Sequence, residues 1–128
     1  MITDRKIKFR GMLKEKKIWV YGNFVYLRNV NKSFIIDENT GEKYEVRNNS
    51  VGEFTGIYDK YGREVYEGDI IKLQRGEDEM LMTVQFRDGY FGFGGTHLGT
   101  YYFDSFDSEM IEIVNYIYNV SQVCLVPD

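Results

Sequence analysis

Alanine is missing altogether from the 128 residues, and proline, cysteine and histidine occur once each. Alanine is the best helix former, while the chain's 11 valines, 11 isoleucines and 21 aromatic residues suit a pleated, half-buried surface. An all-helical fold is therefore excluded. The lone Cys124 cannot form an internal disulfide; in the apolar run Val123-Cys124-Leu125-Val126 it reads as a small buried or interface residue. A structural zinc site needs several Cys or His ligands, and one of each, far apart in the chain, does not supply it. His97 reads as a surface or turn residue, since no serine sits in a nucleophile elbow and no other imidazole exists. The glycines of residues 89–99 lack the Lys-Ser/Thr ending of a phosphate-binding loop. Glu64, Glu67 and Asp69, and the run Glu77-Asp78-Glu79, have no EF-hand spacing and read as solvated turn acids. No apolar stretch approaches 18 residues, and the start carries no secretory core. The expectation is a cytoplasmic protein with no membrane span, no cofactor and no enzymatic activity.

Charge is unevenly placed. The net −4 combines a surplus of seven positive charges over residues 1–32 with a surplus of eleven negative ones over residues 33–128, and no Lys or Arg follows Arg87. Lys8, Arg10, Lys14, Lys16 and Lys17, with Trp19 beside them, join phosphate-neutralising charge to a stacking ring and are the candidate nucleic-acid contacts. An acidic protein repels phosphate, however, and a basic head can pair with an acidic remainder, within the chain or between copies. Lys8 and Arg10 opposite Glu109 and Glu112 would be one such pairing.

Period-two alternation marks a strand over Ile7–Met12, and the apolar runs Ile18–Tyr21 and Phe24–Leu27, punctuated at Gly22-Asn23, read as further short strands. Ser33–Asp37 and Lys43–Arg47 flank a Gly-containing hairpin loop. The breaker-rich Arg47–Ser50 suggests a boundary, dividing the chain into an irregular hairpin sub-domain (1–53) and a second sub-domain (54–128). In the latter, Asp59–Gly62 and Glu67–Asp69 read as tight turns, and Ile70–Leu73, Met80–Phe86 and Tyr90–Phe93 as consecutive antiparallel strands, the last two joined at Asp88-Gly89. A helical turn fits residues 105–110 and a strand Met110–Tyr118. The fold expected is mainly β: N-terminal hairpins followed by a small SH3-like barrel over residues 54–118. No internal repeat is visible.

The segment Thr55-Gly56-Ile57-Tyr58-Asp59-Lys60-Tyr61-Gly62-Arg63-Glu64-Val65-Tyr66-Glu67-Gly68-Asp69-Ile70-Ile71 resembles the central signature of the YopX family of phage and prophage proteins. Ile7-Lys8-Phe9-Arg10 is similar to that family's opening, and Glu112–Asn119 to its C-terminal motif, with Asn115 and Tyr116 departing from the usual pattern. The resemblance implies a mostly-β phage-derived protein and carries no reaction or catalytic residue. The signature is itself turn chemistry, with Gly56, Asp59, Gly62, Glu67, Gly68 and Asp69 as its structural residues.

Two functions are thus open: a non-enzymatic accessory protein that binds other proteins, or a nucleic-acid-binding module using the basic N-terminal face. The first is favoured. Its expected partners are a second copy of the chain, through exposed strand edges and the apolar tail Val120–Val126, and a host or phage protein.

Overall fold

The computed structural model describes residues 6–87, 90–95, 99–102 and 108–117; His97, Cys124, Asp88-Gly89 and the tail 120–126 lie outside them. The protein is mainly β, and two antiparallel sheets carry it. The chain divides into two compact units between Phe54 and Thr55.

The first unit runs β1 (Phe9–Met12), β2 (Trp19–Leu27), β3 (Lys32–Ile36), β4 (Lys43–Val46), a 3-10 turn at Asn48–Ser50, and the start of β5 (Gly52–Tyr58). Its strands lie in the order β4-β3-β2-β1-β5. Gly22-Asn23 interrupts nothing, because β2 is one nine-residue strand. It changes partner there instead. Trp19–Gly22 pair with β1 and Asn23–Leu27 with β3. The chain of β3 passes so close to Gly22 that a Cβ would stand 2.0 Å from the Ile36 carbonyl oxygen, which only a glycine permits. At the far edge Leu13 bridges Val46, the Lys14 amide donates to the Glu45 carbonyl, and the Arg47 amide donates to the Met12 carbonyl. The sheet thus curls until β4 meets the chain just past β1. Met12, Ile35, Val46 and Phe54 fill its interior, and buried Ser50 accepts the Met12 amide at 2.8 Å while donating to the Arg47 carbonyl at 2.7 Å.

The second unit holds the end of β5, β6 (Glu64–Tyr66), β7 (Asp69–Arg75), β8 (Asp78–Arg87), β9 (Tyr90–Gly95), β10 (Gly99–Tyr102), a 3-10 turn at Ser108–Met110, and β11 (Ile111–Tyr116). β6 lies beside β5, and the remaining strands take the order β10-β9-β8-β7-β11. In β7 the alternation is clean: Ile71 and Leu73 face inward and Ile70, Lys72 and Gln74 outward. With Val65, Met82, Val84 and Ile111 they form the core. The barrel expected over 54–118 is of SH3-like order but is not closed: the described strands form an open sheet.

The two units share one plan. In each, a short strand leads to a long one whose first half pairs backward and second half forward. Two shorter strands follow, then a 3-10 turn, then a strand that returns to the first. β8 changes partner at Thr83, as β2 does at Gly22. The segments do not resemble one another in sequence. Pleat period and hairpin closure dictate the arrangement, and many sequences satisfy both. The units differ in charge: residues 1–54 carry eleven Lys/Arg against seven Asp/Glu, and residues 55–126 five against twelve.

Candidate functional site

Of the basic N-terminal candidates, those on β1 turn toward rings rather than toward solvent. The register sets Arg10 opposite Tyr21 and Met12 opposite Trp19. The Arg10 guanidinium lies 4.1 Å from the centre of the Trp19 ring, and Arg10 is buried. Lys8 Nζ stands 5.8 Å from both the Tyr21 and the Phe54 rings. Lys14 pairs with Glu45 at 3.7 Å. Lys16 and Lys17 are exposed in the β1–β2 connection. A groove of about 410 Å³ next to these residues is lined by Lys6, Lys8, Trp19 and Tyr21, but also by Asp37 and Glu38, and Lys6 pairs with Glu38 at 3.5 Å.

The turn between β5 and β6 is organised by Asp59, whose side chain is fully buried. Oδ1 accepts the Tyr61 amide at 3.0 Å and the Arg63 amide at 2.9 Å; Oδ2 accepts Arg63 Nε at 2.9 Å and the Ile113 amide at 3.2 Å. Arg63 Nη2 also lies 2.7 Å from Oδ2 and donates to the Ile113 carbonyl at 3.0 Å. Burial pushes the Asp59 carboxyl up. The hydrogen bonds from the Arg63 side chain and from the Arg63, Ile113 and Tyr61 amides outweigh it, holding the group below its ordinary value. The Lys60 amide adds a bond to the Ile111 carbonyl at 2.8 Å. Together these contacts occupy the edge of β11 that faces away from β7, where a further strand would otherwise pair.

The next turn is built likewise. The Tyr66 amide donates to Asp69 Oδ2 at 2.7 Å, with Asp69 fully buried, and Gly68 at φ 95° donates to the Val84 carbonyl and accepts from the Ile117 amide. Thr55 Oγ1 donates to the Val65 carbonyl at 2.7 Å, Gly56 and Gly62 take positive φ, and Glu67 is half-buried.

A family model described as YopX protein matches residues 8–123. The chain belongs to the YopX family. Comparison with curated proteins finds no match. In this member the YopX signature over 55–71 is a frame: it covers a sheet edge and turns the chain into β7, and the side chains of Thr55, Asp59, Arg63 and Asp69 bond to backbone groups.

Glu112, the suggested partner of Lys8 and Arg10, is engaged by Lys60 at 3.3 Å and Lys72 at 3.4 Å of its own unit, and Lys72 also reaches Glu79 at 3.7 Å. The hydrogen bond between them lowers the Glu112 carboxyl and raises the Lys60 ammonium. Among the described residues no group of three or more His, Cys, Asp or Glu converges as a metal site, and no helix is long and apolar enough to cross a membrane.

The end of the β2–β3 hairpin is a surface the sequence reading did not single out. Val25, Tyr26, Leu27 and Val30 are all exposed there, Val30 by 50%. The turn is held in shape: Asn31 adopts φ 51°, its Oδ1 accepts the Tyr26 hydroxyl at 2.6 Å, and its carbonyl accepts Asn48 Nδ2 at 3.1 Å. The sequence hides this feature, because a continuous apolar run such as Phe24-Val25-Tyr26-Leu27 reads as a buried strand.

Proposed function

We propose that this YopX-family chain is a non-enzymatic accessory protein of phage origin that works in the host cytoplasm by binding proteins, itself among them. The apolar end of the β2–β3 hairpin carries this reading. Val25, Tyr26, Leu27 and Val30 stand in water at a hairpin end ordered by bonds among Tyr26, Asn31 and Asn48, so docking loses little conformational freedom. A nucleic-acid interface draws less support, since Arg10 is packed over Trp19 and Lys8 and Lys14 have neighbours within the unit.

Light scattering over a range of concentrations tests the reading. A mass that rises with concentration is expected, and a constant 15.1 kDa removes self-association. Titration with labelled single- and double-stranded DNA and RNA tests the alternative. Binding that weakens steeply with salt would favour it, and no binding at low salt removes it.

A further inference from the structure

We infer that copies of this protein associate head to tail, the end of the β2–β3 hairpin of one copy docking on the outer face of the β7–β8–β11 sheet of the next. The inference rests on the self-association reading and adds the two surfaces that meet.

The hairpin end presents Val25, Leu27 and Val30 together with Arg28 and Lys32, all exposed, and the sequence from Asn23 to Ile36 contains no carboxylate. Two such ends facing each other would bring like charges together around an apolar centre, which opposes a two-fold contact. The complementary surface lies in the acidic unit. On the outward face of β8, Leu81 is 67% exposed, the most exposed large apolar side chain among the described residues. Beside it the hairpin between β7 and β8 carries Glu77, Asp78 and Glu79, all exposed. Across the sheet, Leu81 is paired with Lys72 and Lys72 with Glu112. Against the four acids Glu77, Asp78, Glu79 and Glu112 stand three cations, Lys60, Lys72 and Arg75, so the local balance is a single negative charge. An apolar knob with cations at its rim therefore meets an apolar residue with acids at its rim.

Such a contact joins different surfaces: two copies can exchange it reciprocally, or it can pass from copy to copy. Where it is not exchanged reciprocally, one hairpin end and one acidic face stay free, and growth continues until a ring closes or the chain of copies ends. Because the rim charges are exposed, salt screens them and weakens the assembly.

Two variants test this, each altering exposed side chains only: Leu27→Ser with Val30→Ser at the hairpin end, and Leu81→Lys on the acidic face. Circular dichroism and melting confirm that both fold. Each variant alone is expected to be a monomer in sedimentation and light scattering. A 1:1 mixture retains one intact contact and is expected to give a heterodimer of about 30 kDa, twice the chain mass, and nothing larger. A mixture that stays monomeric overturns the inference. So does a wild-type dimer that survives Leu81→Lys but not the hairpin substitutions: that result means a two-fold contact between hairpin ends and leaves self-association standing. A wild-type protein that is monomeric at every concentration removes both.

Discussion

Replacing Asp59 with alanine removes the acceptor for five donor groups at once: the amides of Tyr61, Arg63 and Ile113, and both Nε and Nη2 of Arg63. The losses are unequal. The Arg63 side chain is half exposed, and Tyr61 and Arg63 are exposed residues, so water can satisfy much of what they lose. The Ile113 amide lies on partly buried β11 and has less access to water. Removing one partner of a fully buried ion pair costs about 3–5 kcal/mol, and discounting for the exposed partner leaves about 2–4 kcal/mol here. At a urea dependence of about 2 kcal/mol per molar, the middle of the range for small proteins, the unfolding midpoint falls by about 1–2 M. Asp59→Asn keeps the shape but loses the charge, and is expected to fall between the wild type and Asp59→Ala. Hydrogen exchange at Ile113 locates the effect, since this amide should lose protection before the Ile71 and Leu73 amides of β7. A shift below about 0.5 kcal/mol, the range of ordinary surface substitutions, with Ile113 protection unchanged, would refute the role given to Asp59. The same group contributes to acid sensitivity. Its carboxyl in the folded protein lies below the ordinary value of 3.8, so the unfolded chain takes up the proton first. The stability it supplies is complete above that value and is lost as pH falls through the lower folded value, so Asp59→Asn should flatten the stability profile in that acid window and leave its slope near neutral pH unchanged.

Gly22→Ala places a Cβ 2.0 Å from the Ile36 carbonyl oxygen, which forces β2 and β3 apart. A loss of about 2–4 kcal/mol by urea denaturation is expected, and stability equal to wild type would show that the strands can separate there without cost. Leu73→Ala empties a fully buried position in the core of the second unit and should cost about 2–5 kcal/mol. Gly11→Ala sets a Cβ 2.8 Å from Val46 Cγ2, and Gly11→Ala combined with Val46→Ala should recover part of the loss in a double-mutant cycle. Strict additivity of the two would contradict direct contact.

Much of the fold was legible because strand period and turn chemistry are local. The clean alternation in β7, the hairpins flanking Gly41 and the helical turn before β11 follow from residues within a few positions of one another. Gly22 misleads for the same reason: a Gly-Asn pair between two apolar runs signals a break locally, whereas the glycine answers a backbone approach from Ile36, fourteen positions away. The surroundings of the basic N-terminal side chains are a tertiary matter: the sequence leaves the direction of Lys8 and Arg10 open, and strand pairing sets them beside Tyr21, Phe54 and Trp19.

The sequence alone determined strand content, the polarity of charge, the tight turns of the signature and, through that signature, membership of the YopX family. These depend on composition and on neighbours in the chain. The tertiary structure decided that Asp59 serves β11 as well as its own turn, that both units repeat one strand order and that the β2–β3 hairpin ends in exposed apolar side chains. Each depends on which distant segments pair. Pairing is set by the combined burial and hydrogen bonding of whole strands, a quantity that no single stretch of residues contains.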